Sequence, residues 1–154
     1  MNAPLRAAID GVRVTPLARI ADERGAVLRM LRCDDPHFSR FGEIYFSLVH
    51  PGAVKAWRTH SRTTANFAVP VGTVRLVLFD DRVASNTRGH LMERVIGDAD
   101  YCLVTIPPGV WTGFRGESAV AALVANCLTD PHDPAEVGRL ESDATEIPYQ
   151  WPTR

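Results

Sequence analysis

A chain of 154 residues with 45% apolar content and a formal net charge of −1 has room for one domain with a real core. It lacks the basic excess that a nucleic-acid or membrane-surface partner demands, so neither is expected. Met1-Asn2-Ala3-Pro4-Leu5-Arg6 has no long apolar run after its charge, which argues against a signal peptide. The longest apolar run, 119–125, is far too short to span a bilayer.

Short apolar segments separated by turn signals at roughly ten-residue spacing predict an all-β domain, sandwich or barrel. In chain order the expected strands are 12–16, 26–32, 43–49, 53–59, 66–71, 74–79, 91–96, 101–106 and 120–128. Between them lie turn signals such as Asp22-Glu23-Arg24-Gly25, Pro51-Gly52, Val71-Gly72, Gly97-Asp98 and Pro107-Pro108-Gly109. Segments 34–40 and 133–140 are expected to form short helical turns. The proline-rich stretch Ile147-Pro148-Tyr149-Gln150-Trp151-Pro152 excludes helix and predicts an extended arm anchored on the barrel by Trp151. The organisation is thus one domain, 1–154, with extended arms at 1–20 and 141–154. Cys33, Cys102 and Cys127 are odd in number and contain no CxxC pair, which speaks against a zinc or redox motif. Cys102 and Cys127 fall inside apolar strands and read as small buried hydrophobes. A reducing, cytoplasmic compartment fits best.

Two stretches carry the functional signal. Gly52-Ala53-Val54-Lys55-Ala56-Trp57-Arg58-Thr59-His60, followed by Ala65 and Gly72, keeps the spacing of the first cupin motif, in which a Gly is followed by His-x-His, a Glu and a second Gly. Ile106-Pro107-Pro108-Gly109-Val110-Trp111-Thr112 resembles the second motif, Pro-x-Gly-x-x-His. Arg58 stands at the first His, Ala65 at the Glu and Thr112 at the last His. Only His60 remains of four metal ligands, whereas metal chemistry needs about three around one point. No metal and no cofactor are expected, and a metal-dependent cupin such as a dioxygenase is disfavoured.

The chain resembles the dTDP-4-dehydrorhamnose 3,5-epimerase-like branch of the cupins. The likeness runs over nearly the whole chain, through Asp22-Glu23-Arg24-Gly25, Phe41-Gly42-Glu43-Ile44-Tyr45-Phe46-Ser47, the Pro51 to Trp57 block, Asp80-Asp81-Arg82, Thr129-Asp130-Pro131-His132-Asp133-Pro134-Ala135-Glu136 and the Ile147 to Trp151 block. The resemblance implies a double-stranded β-helix, or jelly-roll, barrel that forms a homodimer and binds a nucleotide-diphospho-sugar at its mouth. It also implies a His–Asp dyad that removes protons beside a 4-keto group, and a Tyr that returns them. Such chemistry needs a base in reach of a mildly acidic C–H and a cation to steady the enolate. In this chain the family's base His falls on Arg58, its Tyr acid near Asn126, its pocket Lys near Ala65 and its diphosphate-gripping Arg on Lys55. Arg24 matches an Arg used on the nucleotide side. A guanidinium is a very poor base. The binding charges thus look retained and the proton carriers replaced.

His60 lies two residues from Arg58, so the two share a strand face. It reads either as the base, one step along, or as a hydrogen-bonded His in the barrel wall. Arg58 reads as a ligand contact or as an ion-pair partner of Asp80 or Glu43, and Lys55 as a ligand contact or a solvated lysine. Trp57, Trp111 and Phe114 read as a stacking face of the pocket or as core, with Phe114 favouring core. Tyr45 and Asn66 are candidates to hydrogen-bond a sugar hydroxyl. The Asp80 cluster reads first as a turn closed by a salt bridge, and the segment 132–136 as a surface loop. The expected catalytic residues are His60 and Arg58; the expected substrate-binding residues are Arg24, Lys55, Trp57, Tyr45, Asn66, Trp111 and Asn126. The expected activity is metal-independent epimerisation or isomerisation of a nucleotide-linked 4-keto-6-deoxy sugar. The alternative is a non-catalytic cupin that binds a nucleotide-sugar or another anion.

Overall fold

The computed structural model describes residues 7–153; the first six residues of the expected N-terminal arm lie outside the described residues. Its strands are β1 (Arg13–Pro16), β2 (Arg19–Asp22), β3 (Gly25–Leu28), β4 (Glu43–Val49), β5 (Val54–His60), β6 (Ala65–Val71), β7 (Thr73–Asp80), β8 (Leu91–Gly97), β9 (Cys102–Ile106), β10 (Val110–Gly116), β11 (Ala122–Leu128) and β12 (Val137–Arg139). One sheet has the order β1-β9-β6-β11-β4 and the other β12-β5-β10-β7-β8. Both are antiparallel throughout. The two face each other across the core as the double-stranded barrel expected from the sequence.

Period-2 patterning explains which residues fill the barrel. Phe67 and Val69 of β6, Val74, Leu76 and Leu78 of β7, Cys102, Val104 and Ile106 of β9, and Val124 of β11 form one buried cluster with Ile9 and Val49. Within the N-terminal segment, Ile9 is buried in the core and β1, the expected first strand, pairs with β9. A second cluster, Trp57, Val77, Phe79, Leu91 and Ile147, lies against Trp111, Leu140, Tyr149 and Trp151. This is the outer face of the second sheet, covered by the C-terminal segment, with Trp57 and Trp151 rings 5.2 Å apart. The expected Trp151 anchor is therefore present.

Three strands were not expected. The segment 26–32 is strand only to Leu28, and its partner β2 precedes it, the two joined through Glu23-Arg24 as a separate two-stranded ribbon. β10 stands where the sequence suggested a turn, because Val110-Trp111-Thr112-Gly113-Phe114-Arg115-Gly116 carries two glycines just after Pro107-Pro108-Gly109. A Cβ on Gly113 would come within 2.7 Å of the Ala56 Cβ and 2.9 Å of the Trp57 and Trp151 rings. The glycine allows close approach and does not break the strand. The segment expected as a helical turn at 133–140 is a single 3-10 turn, Pro134–Glu136, capped by the Asp133 carboxylate and running into β12. Segment 34–40 contains turns and no helix. Gly72, at φ +75°, makes the β6–β7 turn in a conformation that side chains avoid.

Candidate functional site

Between the sheets, at the end left open by the apolar cluster, lies a cavity of about 480 Å³. One wall is β5 with its neighbours β10 and β12; the other is β4 with β11 and β6.

The pairing of β5 with β10 determines which side chains enter. Thr112 lies opposite Arg58, but Phe114 lies opposite Lys55, so β5 spends three residues where β10 spends two. This bulge puts Lys55 on the same face as Arg58 despite their odd spacing. Lys55, Arg58 and His60 all line the cavity, with Thr112 and Phe114 beside them. On the far side of β12, Arg139 pairs with Arg58 and lines the cavity too.

Among the described residues, no carboxylate pairs with the cations of this wall. Lys55 Nζ donates to Ser47 Oγ at 2.8 Å and Arg58 Nη1 to Tyr45 Oη at 3.4 Å. Neither of the acidic partners considered for Arg58 is engaged with it. Asp80 is held by Arg82, Ser85 and Thr87, which closes the turn as expected, and Glu43 accepts from the His132 amide. Arginines away from the cavity, such as Arg40, Arg62, Arg75, Arg82 and Arg94, are in salt bridges. Two guanidiniums facing each other across a β5–β12 pair repel. That repulsion makes this wall a place for an anion, with the Glu141 carboxylate, which also lines the cavity, acting against it.

His60 is held from behind. Its Nδ1 lies 2.7 Å from Glu136 Oε1. Glu136, only 6% exposed, also accepts from Thr63 Oγ1 at 2.7 Å and from the amides of Arg62 and Thr63 at 3.0 and 3.2 Å. Burial works to raise the Glu136 carboxyl, but these donors outweigh it and hold the group at about 2. It is therefore a fixed carboxylate that orients the imidazole and leaves Nε2 to the cavity. The expected surface loop at 132–136 is exposed or half-exposed up to Ala135, but the turn capped by Asp133 and begun by Pro134 buries its last residue, Glu136. The pairing joins residues 76 apart in sequence, and no local signal announces it.

The opposite wall presents Tyr45 and Asn126, a directly opposed β4–β11 pair. Asn126 Nδ2 donates to Tyr45 Oη at 3.0 Å, and its Oδ1 is buried without a partner. Three other expected residues, Asn66, Trp111 and Arg24, do not line the cavity. Asn66 spends its amide on Cys127 O and Thr105 Oγ1, on the face of β6 opposite to Ala65 and Phe67, which line the cavity. Trp57 is 2% exposed and its indole packs in the outer cluster, as does Trp111; Trp57 also borders the cavity, whereas Trp111 does not line it. Phe114 belongs to the core and to the cavity lining at once. Arg24, its side chain 83% exposed, pairs with Asp22 at the tip of the β2–β3 ribbon. Arg139 and Glu136 are the two residues of the site that the sequence reading did not single out.

Among the described residues no group of three or more His, Cys, Asp or Glu side chains could hold a metal ion. Cys33 is exposed, Cys102 and Cys127 are buried, and all three are free; burial pushes the Cys102 thiol up to about 11. No helix is long and apolar enough to cross a membrane among the described residues, which says nothing of strands.

No protein-family model matches the chain. Two known proteins do, nearly end to end. The "Probable low-salt glycan biosynthesis epimerase Agl13" of Haloferax volcanii is 34% identical over 148 residues, covering 92% of this chain and 88% of its own. The spore coat polysaccharide biosynthesis protein SpsL of Bacillus subtilis is 30% identical over 147 residues, covering 94% and 97%. Among solved structures, a dTDP sugar isomerase from Desulfovibrio desulfuricans G20 superposes with a TM-score of 0.91 at 48% identity, over 93% of this chain and 92% of that one. Crystal structures of dTDP-4-dehydrorhamnose 3,5-epimerases at 14% and 19% identity share the fold.

Proposed function

The chain belongs to the dTDP-4-dehydrorhamnose 3,5-epimerase-like cupin family, and from that premise we propose that it is a metal-independent epimerase or isomerase of a nucleotide-diphospho 4-keto-6-deoxy sugar. The observation that carries the proposal is the His60–Glu136 pair beside cavity cations that have no carboxylate of their own.

In this reading Lys55 and Arg139 grip the diphosphate, and Arg58 sits nearer the sugar. His60 Nε2 takes the proton from the carbon next to the ketone. The electron pair moves into an enolate, whose oxygen is steadied by the Arg58 guanidinium. Glu136 keeps Nδ1 as the donor side of the ring and stabilises the imidazolium that forms. Asn126 Oδ1, unpaired in the wall, accepts from a sugar hydroxyl. The family position of the base remains occupied by Arg58, and His60 serves from two residues along the same face.

The homodimer implied by the resemblance has support on the surface. Ile44, Phe46 and Leu48 of the edge strand β4 are exposed on one face, Phe46 by 62%, and so are Ile20 and Val27 of the projecting ribbon. Apolar stripes of this kind are unusual on a monomer. In such a dimer Arg24, at the exposed tip of the β2–β3 ribbon, is proposed to reach a nucleotide bound by the neighbouring copy. Three free cysteines suit a reducing, cytoplasmic setting.

The test is incubation with a dTDP-4-keto-6-deoxy sugar in deuterium oxide, followed by proton NMR. Loss of the C3 or C5 proton signal, with a new sugar stereoisomer or ketone position, is expected. The non-catalytic alternative draws on the Arg at 58 and the Asn at 126. It requires calorimetric binding of the sugar nucleotide with no exchange at any ring carbon.

A further inference from the structure

We infer that Thr63 is a positioning residue for the base, and that its hydroxyl links His60 and Glu136 to an ion pair outside the cavity, Arg40–Asp130. The inference rests on the proposed activity and adds to it a remote residue, Arg40, that sets its rate through Thr63.

The loop that follows His60 wraps around Glu136. A carboxylate has about four lone-pair sites, and here each has its own donor. Oε2 accepts from the amides of Arg62 and Thr63, at 3.0 and 3.2 Å. Oε1 is shared between His60 Nδ1 and Thr63 Oγ1, both at 2.7 Å. Thr63 thus straddles the carboxylate, its amide on one oxygen and its hydroxyl on the other. With one lone pair of Oε1 taken by the hydroxyl, the imidazole N–H is confined to the other, and the plane of the ring follows. Thr63 is 2% exposed, so water does not stand in for its hydroxyl.

The same hydroxyl has a second acceptor in view, Asp130 Oδ2 at 3.4 Å. It carries one proton, for which the two carboxylates compete. Three hydrogen bonds already draw on Asp130. Arg40 Nη2 reaches both of its oxygens, at 3.0 and 2.9 Å, and Thr129 Oγ1 donates to Oδ2 at 3.0 Å. The Arg40 side chain is 61% exposed and does not line the cavity. Without that guanidinium Asp130 keeps its full charge and draws the Thr63 proton away from Glu136. Oε1 is then free to turn against the ring, and Nε2 loses its aim at the carbon that gives up its proton.

The test is a double-mutant cycle on the rate of ring-proton exchange in deuterium oxide. Thr63→Val keeps the branched shape and removes the hydroxyl. It should lower kcat about 10-fold with KM unchanged, and Thr63→Ser should restore the rate. Arg40→Ala should lower kcat about threefold in the wild type and have no effect on top of Thr63→Val. Thr63→Ala supplies the same background if the valine variant folds poorly. A reading without substrate comes from proton NMR of the imidazole: the His60 Nδ1 proton should be sharp and slow to exchange in the wild type and broadened in Thr63→Val. Wild-type kcat in Thr63→Val, a serine variant no faster than the valine one, or equal losses from Arg40→Ala in both backgrounds would overturn the inference and leave the proposed activity standing. Wild-type protein that exchanges no ring proton would remove both.

Discussion

The two faces of β5 and β10 differ more than any other pair of surfaces in this protein. Inward, Lys55, Arg58, His60 and Thr112 keep hydrogen-bonding capacity in hand, and the cations have no carboxylate of their own. Outward, Trp57, Trp111 and Gly113 are locked against Tyr149, Leu140 and Trp151 of the C-terminal segment, and Trp57 exchanges backbone hydrogen bonds with Leu140 in both directions. Neighbouring letters of one strand thus serve opposite purposes. The lesson is that the site is rigid because its reverse side is a packed core, which holds the bulged β5 while its inner side chains stay uncommitted.

This division can be broken from either side. The largest effect belongs to the inner face: His60→Ala should reduce deuterium exchange by about 10³-fold with little change in melting temperature, read by NMR and calorimetry on the same sample. The outer face should respond in the opposite sense. Trp57→Ala is expected to cost about 3–5 kcal/mol of stability in denaturant unfolding, and activity should fall only as the folded fraction falls.

Glu136 touches both sides of the comparison. Its carboxyl sits at about 2 in the fold against an ordinary value of 4.5. The stability it adds is therefore fully present above about pH 4.5 and is lost as pH falls toward 2. Glu136→Gln should be less stable than the wild type by about 2–3 kcal/mol at neutral pH, with the gap closing below pH 4.5 in acid-unfolding curves. The smallest effect is expected from Arg139→Ala, about a 10-fold loss of dTDP-sugar affinity or roughly 1.4 kcal/mol, with the rate of bound substrate unchanged. Equal losses with a neutral sugar lacking the diphosphate would show that Arg139 does not contact the anion.

Much of the fold was legible because the strands alternate and their turns carry Gly, Pro and Asp; segment 43–49 is matched residue for residue by β4. What escaped had physical reasons. β10 looked like a turn because Gly113 serves a close contact that only the assembled barrel creates. β2 and β12 are short and flank turn-rich sequence. In the site, Arg58 and His60 stood out by their place in the cupin motif, and their two-residue spacing put them on one strand face. Lys55 depended on a bulge that no composition reveals. Glu136 and Arg139 depended on where the chain returns after β11. Asn66 and Trp111 lie off the cavity by one parity each: a single residue's shift moves a side chain from cavity to core.

A crystal of the protein with dTDP-glucose, which lacks the reactive ketone, tests the whole arrangement at once. The sugar ring should lie between the two sheets, with His60 Nε2 on one side and Tyr45 Oη on the other, and with the diphosphate on Lys55 and Arg139. A nucleotide-sugar bound elsewhere on the barrel, or a sugar ring pointing out of the cavity with His60 untouched, would contradict it.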